Sequence, residues 1–408
     1  MPKNECPSIG RANILLFLQF LSDFGDQITT ALLALCVIDI TKSTGKVAFV
    51  YFITTSGFVV FTLIGGYLGD KLSKRNILLY SDIGRALVVL FIIFALKEKS
   101  LTLIYISSFL LSILGSLHRP VKLSIWAQSI PSNRLERYNC FSEFSIQSSM
   151  IIGPLIASFF IAKQQISVGF TIDAVTFFLC AITFAVIISE RAKTSQKSKR
   201  TKRDIFQGFK LIAQNPELSK YISYDAIQMI GFGAFNATFL VLAQRDFNWT
   251  KAEYSYHLSI IAAGALIGAL LGSMKCVVKI RAITKLISCA IFSALALALV
   301  LHFQSFPASS ILFGLCDGLA VITMVVTRTK AQLLAKSIHP EFLTSILASR
   351  SIIIKAATLL GTGSCLIIDD FLSLEMTLAL YVIPIGLSFL PFVLGKKQAS
   401  IQQAQIIN

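Results

Sequence analysis

Charge is scarce in this sequence. Only 14% of its 408 residues are Asp, Glu, Lys or Arg, 55% are hydrophobic, and the mean hydropathy is +0.73, whereas soluble domains carry roughly a quarter charged residues. A soluble globular chain is thereby excluded. There is no GxxxxGK[ST] phosphate loop, so the chain alone does not hydrolyse ATP by the P-loop route, and an ATP-driven pump would need a second chain. The four histidines, His118, His257, His302 and His339, form neither HExxH nor any other ligand spacing, and the eight cysteines include no CxxC. These absences speak against a metal centre or a disulfide framework, and the cysteines, mostly inside apolar runs, read as small core residues. No Ser/His/Asp set, no G-x-S-x-G and no cofactor motif is visible, so an enzyme is not expected and neither is a cofactor.

Long apolar runs take the place of all this. A membrane-spanning helix needs about 20 apolar residues, because the hydrocarbon core is about 30 Å thick and each helical residue rises about 1.5 Å. Twelve runs qualify, near 12–38, 46–69, 77–96, 102–123, 138–162, 167–189, 220–244, 254–276, 281–303, 307–331, 343–367 and 373–394. The first follows Lys3 and Arg11 in the manner of a signal peptide, but it continues to Ile38 without a small-residue cleavage site. It is expected to be retained as a span.

The 37 Lys and Arg exceed the 21 Asp and Glu, for a net charge of +16. These residues lie between apolar runs and not on a polar folded face, so they orient the spans and no nucleic-acid partner is expected. With both termini placed in the cytoplasm, the opposite loops hold only Lys42, Lys46, Lys97, Lys99, Lys163, Arg245 and Lys251. The positive-inside rule selects that orientation.

The longest polar segment, 190–204, divides the spans six and six. The expected organisation is an N-terminal six-helix bundle over 1–189, a basic cytoplasmic linker with a short interfacial helix over 190–216, a C-terminal six-helix bundle over 217–396, and a cytoplasmic tail over 397–408. The linker should lie against anionic membrane lipid. Ser129-Ile130-Pro131, Leu135 and Gly153 are echoed at an offset of about 208 residues by Ser337-Ile338-His339-Pro340, Leu343 and Gly361. Such a repeat is what duplicated transporter halves show, and it predicts two pseudo-symmetric bundles around a central path.

Ionisable groups inside a bilayer are costly and mark paths or partners. Asp23 and Asp26 sit three apart on one face of the first span, and Asp317 lies in the tenth; no cation close in sequence pairs them. They are candidates to line a path for protons or a cationic substrate. Arg119, beside His118 in the fourth span, is open between orienting a carboxylate, meeting an anionic substrate and bonding loop carboxylates. Asp82 and Arg85 in the third span read as a local structural pair, and Lys355 in the eleventh has no assigned role. Gly264, Gly268 and Gly272 recur every four residues, which suits close helix packing. Gly153-Pro154 in the fifth span is a candidate hinge.

Between the second and third runs stands Gly66-Tyr67-Leu68-Gly69-Asp70-Lys71-Leu72-Ser73-Lys74-Arg75, expected to form a short polar turn. It resembles the loop signature of the major facilitator superfamily, G-x-x-x-D-R/K-x-G-R/K-R/K, with Ser73 where glycine is usual. The resemblance implies the major facilitator fold: an all-α integral membrane protein of twelve transmembrane helices in two six-helix bundles. It implies a gating loop made by Gly66, Asp70, Lys71, Lys74 and Arg75, and a cavity lined by the first, fourth, seventh and tenth helices, which adds Asn236 to Asp23, Asp26, Arg119 and Asp317. Gly153-Pro154 resembles the end of the family's antiporter signature in the fifth helix. Arg119 stands where the family has an arginine associated with proton coupling. Ser22-Asp23-Phe24-Gly25-Asp26, the stretch from Asp204 to Pro216, and Asp173 with Phe177-Phe178 are similar to the subgroup of enterobactin-type siderophore exporters and macrolide efflux proteins.

The function so implied is secondary transport, by proton-coupled efflux of a small amphipathic molecule or siderophore, in a monomer of the bacterial inner membrane. Import of a siderophore or nutrient on the same scaffold, and a non-transporting sensor or scaffold, are the alternatives. The partners implied are a small-molecule substrate, protons or another coupling ion, and lipid.

Overall fold

The computed structural model describes residues 9–41, 44–187, 205–245, 247–249, 251–302, 305–368 and 382–392. The described chain is helix and short turns, with no strand. Its helices are α1 (Ile9–Thr41), α2 (Thr44–Lys71), α3 (Lys74–Lys97), α4 (Leu101–Ser129), α5 (Ser132–Ala162), α6 (Ile166–Ile187), α7 (Gln207–Gln214), α8 (Pro216–Arg245), α9 (Lys251–Ser273), α10 (Lys275–Lys279), α11 (Ala282–His302), α12 (Phe306–Ile338) and α13 (Leu343–Ile368). A 3₁₀ turn, Pro340–Phe342, precedes α13.

Ten of the described helices are long and apolar enough to cross a membrane. The 30-residue α8 stands where the seventh span was expected. Half of the expected twelfth span, 373–381 and 393–394, lies outside the described residues, and the described half has helical structure at Val382–Phe392. Several helices overrun their apolar runs: α5 begins at Ser132 and α12 continues to Ile338. Backbone hydrogen bonding does not stop where the apolar residues do, and the added ends are rich in Arg, Lys, Glu, Gln and Ala, which favour helix.

Polar side chains inside these helices largely satisfy themselves. Ser107, Ser108, Thr54 and Thr183 donate to the carbonyls of Leu103, Ile104, Val50 and Leu179, four residues back, at 2.7 to 3.0 Å. This back-bonding gives a hydroxyl in an apolar setting an acceptor within its own helix.

The chain divides into two compact units. One comprises Met1–Leu135, Ser145–Lys210 and Ala335–Ser349; the other comprises Glu136–Phe144, Leu211–Leu334 and Arg350–Asn408. In the first unit α1 and α3 pack on α6, and α2 and α3 on α4. Ile28, Leu32, Val89, Ile92, Phe170 and Phe177 form its core. The second unit has an aromatic core of Phe235, Phe239, Trp249 and Phe313, which encloses His257; its Nδ1 lies 3.0 Å from Ser310 Oγ.

The α9 glycines do what their spacing suggested. A Cβ on Gly268 would stand 2.2 Å from the backbone oxygen of Gly318, so α9 and α12 touch backbone to backbone. Gly268→Val should force the two apart and destabilise the protein by about 1 to 3 kcal/mol. Gly115→Ala, with open space around it, is the control, and thermal unfolding in detergent reads both.

Candidate functional site

The glycine-rich stretch is helix for most of its length. α2 runs through Lys71 and α3 starts at Lys74, which leaves Leu72 and Ser73 as the only connection. Its glycines therefore serve close approach and not a turn. A Cβ on Gly65 would lie 2.8 Å from Ser116 O of α4; on Gly66, 2.6 Å from Ala348 Cβ; on Gly69, 2.5 Å from Thr344 Cγ2. Ser73 has φ −63° and ψ 118°, ordinary extended backbone for any residue, so the missing glycine costs no strain.

These approaches bring Asp70 to the start of α13. Its carboxylate is buried and accepts the backbone N–H of Thr344 and of Ser345, each at 2.8 Å. The first N–H groups of a helix have no partner within it, and their partial positive charge favours an anion. Thr344 Oγ1 also donates to Ser124 Oγ at 3.1 Å, and Lys336 Nζ to the carbonyl of Ala127 at 2.8 Å. The basic residues of the stretch make contacts of their own. Lys71 is exposed and bonds its own helix neighbour Tyr67 at 3.0 Å; Lys74 donates to Gln128 at 3.1 Å; Arg75 is half-buried. Gly208 of α7 rests against Ser345 and Ser349.

A second polar group lies in the same unit, where α1, α3, α4 and α6 meet. Arg85 Nη2 reaches both carboxylate oxygens of Asp26 at 2.6 Å, and its Nη1 lies 3.5 Å from Asp82 Oδ1. The guanidinium carbon sits 3.9 Å from the centroid of the Phe177 ring, a close cation–π geometry. His118 Nε2 approaches Asp82 Oδ1 to 3.4 Å. Asp173 on α6 is fully buried. Gly25 allows it, since a Cβ there would fall 2.3 Å from Asp173 Oδ1. Asp23 Oδ2 accepts from Gln19 at 3.1 Å and from Ser145 at 3.0 Å. Lys122 stands within electrostatic reach of Asp23, Asp82 and His118.

The second unit holds its own buried ions. Asp225 pairs with Arg350 and accepts from Thr327 Oγ1 at 2.6 Å. Arg328 Nη2 meets Glu143 Oε2 at 3.0 Å, and Lys285 pairs with Glu136. The Asn139 amide donates to Thr329 at 2.8 Å and to Gln332 at 2.7 Å. Asp317 is half-buried on α12, with Glu143 in electrostatic reach.

Asp23 and Asp26 thus belong to one cluster, and Asp26 has a cation partner 59 residues away that sequence proximity hid. Arg119 is exposed on α4, while its neighbour His118 is buried in that cluster. Asn236 lies on α8, with its side chain outside the described set. Asp317 belongs to the other unit. Gly153 packs on α1, where a Cβ would meet Gln27 Cβ at 2.5 Å, and α5 is continuous through Pro154. Lys355 is half-buried on α13. Arg85, His118 and Lys122, and the pairs Arg328–Glu143 and Arg350–Asp225, were not singled out as site residues by sequence reasoning. Their signal, an ionisable residue inside an apolar run, was present for each, but the pairing was not. Among the described residues no group of three or more His, Cys, Asp or Glu is placed to hold a metal ion.

Comparison with known proteins agrees with this architecture. The family model described as Major Facilitator Superfamily matches residues 15–362. Macrolide efflux protein A of Streptococcus pyogenes is 25% identical over 255 residues, a match that covers 60% of this chain and 62% of that protein's length. A bacterial homologue of the iron transporter ferroportin, in an outward-facing state, superposes with a TM-score of 0.74 at 16% identity, over 93% of this chain and 98% of that one. The E. coli fucose:proton symporter gives a TM-score of 0.70 at 12% identity, over 94% and 98%. At such identities the two structures speak for the fold alone.

Proposed function

The chain belongs to the major facilitator superfamily, and on that premise we propose that it is a secondary transporter that expels a small amphipathic molecule or siderophore by alternating access, driven by protons. The observation that carries this reading is the cluster of ionisable side chains at Asp23, Asp26, Asp82, Arg85, His118 and Asp173 inside apolar helices, with the Asp26 side chain 37% exposed. Charge in such a place is costly unless it is paired or serves a path. Efflux is favoured by the likeness to macrolide efflux protein A. Asp23, Asp26, Arg119, Asn236 and Asp317 are the proposed pathway residues. The stretch from Gly66 to Arg75 is the proposed gate, with Asp70 releasing the start of α13 during the cycle and Gly153-Pro154 as the hinge of α5. In this reading the protein acts as a monomer in the bacterial inner membrane with both termini cytoplasmic.

Counterflow in proteoliposomes with a panel of macrolides, other cationic drugs and siderophores tests the reading and identifies the substrate. Asp26→Asn and Asp317→Asn should each lower pH-gradient-driven transport by about tenfold or more, the rate equivalent of about 1.4 kcal/mol, with expression near that of the unaltered protein. Unchanged transport in both variants across imposed pH gradients would remove proton coupling through these residues, and absence of counterflow for the whole panel would count against transport of these classes.

A further inference from the structure

Charge does not balance in the cluster of the first unit. Four carboxylates, Asp23, Asp26, Asp82 and Asp173, face two basic side chains, Arg85 and Lys122, and one histidine. Asp26 takes both its hydrogen bonds from Arg85 Nη2. Asp82 has Arg85 Nη1 and His118 beside it, and Asp23 has the Gln19 and Ser145 donors. Asp173 has least. Its Oδ2 is buried with no hydrogen-bond partner, the Thr29 hydroxyl of α1 stands beside the carboxyl without completing a hydrogen bond, and its Oδ1 lies 3.4 Å from the Thr176 hydroxyl, whose single proton is directed at the Asp173 backbone carbonyl at 2.8 Å. A buried carboxylate in that condition is far too costly to leave charged and unpaired.

We propose that Asp173 is the proton carrier of this unit, and that a cationic substrate displaces Arg85 from Asp26 and thereby releases that proton. The proposal rests on the transport reading above and adds the chemical class of substrate and the site of exchange. Asp26 is the partly exposed member of the Asp26–Arg85 pair, with its side chain 37% accessible against 9% for Arg85, so an incoming cation meets Asp26 first. Arg85 already stands over Phe177, one helical turn from Asp173 on α6, and the two are in electrostatic reach. In the exchange the Asp26–Arg85 ion pair breaks, Asp26 pairs with the substrate cation, the guanidinium pairs with Asp173, and the Asp173 O–H bond gives its proton to water. One positive charge enters the cluster and one leaves. The charged and titratable groups that face this exchange are Asp23 and Asp26 from α1, Asp82 and Arg85 from α3, His118 and Lys122 from α4, and the buried Cys180 thiol from α6. The part of α5 in this unit, residues 145–162, has no ionisable side chain.

Tetraphenylphosphonium tests this, because it is a permanent cation and any proton released on its binding comes from the protein. Purified full-length protein in weakly buffered detergent should release one proton for each cation bound. Asp173→Asn should bind the cation with no release, and in proteoliposomes it should retain counterflow while losing about tenfold or more of pH-gradient-driven accumulation. Asp173→Glu should restore both. Cation binding by the unaltered protein without proton release, no binding at all, or undiminished release from Asp173→Asn would each overturn the proposal. Should Asp173→Asn fail to fold, Asp23→Asn decides: it should still release one proton for each cation bound, and loss of the release there would assign the proton to Asp23 and overturn the proposal. Counterflow confined to neutral or anionic compounds would sink this exchange and leave the transport reading standing, whereas absence of counterflow for every compound would sink the latter.

Discussion

Asp70→Ala is expected to free the first turn of α13 and to abolish gradient-driven transport. Two N–H groups, of Thr344 and Ser345, lose a charged acceptor at 2.8 Å, and hydrogen bonds to charged groups contribute about 1.5 to 3 kcal/mol each. A loss of about 3 kcal/mol or more shifts a local opening equilibrium more than about a hundredfold. Hydrogen exchange at the amides of Thr344 and Ser345 should accelerate by that factor, because protection at a helix start follows local opening. Asp70→Asn retains an acceptor without the charge and should fall between. If both amides exchange at the unaltered rate in Asp70→Ala, the contact does not hold this turn and the proposed gate loses its basis.

Arg350→Met should be the more damaging change to stability. Asp225 and Arg350 are buried together, 2% and 4% exposed, and removing one partner of a buried pair costs about 3 to 5 kcal/mol because the other charge is left alone. The apparent unfolding temperature in detergent should fall by about 10 °C. Asp225→Asn combined with Arg350→Met should recover most of that, since an amide can still accept from Thr327. A double variant as unstable as the single one would show that packing by the long Arg side chain, and not its charge, matters here.

The spans were legible because a run of about 20 apolar residues has few uses other than crossing a bilayer. Asp70 was legible too, since an acidic residue among glycines and basic residues near the start of a loop is a pattern of composition. What stayed hidden was partnership. Asp82 and Arg85 are one helical turn apart, so a local pair was the economical reading, yet the stronger contact of Arg85 is with Asp26 across from α1. Nothing within 59 residues of sequence announces that. His118 and Arg119 show a second limit. Neighbours on a helix point about 100° apart, and without the packing of α4 there is no telling which one faces inward. The glycines at 65, 66 and 69 stand beside a turn in the sequence, and each marks where another helix comes close, but nothing in the sequence says which helix.

The division of the chain also bears on the order in which the protein can be made. Residues Ala335–Ser349 belong with the first unit, and Glu136–Phe144 with the second. A ribosome that has finished α6 has therefore not supplied all of the first unit, and the Asp70 carboxylate has no amide to accept until residue 345 emerges. The early helices must wait in the membrane with that carboxylate solvated or held by another group. Splitting the gene within the polar stretch 190–204 should yield an N-terminal fragment whose Asp70 finds its ligands only when the C-terminal fragment is synthesised beside it.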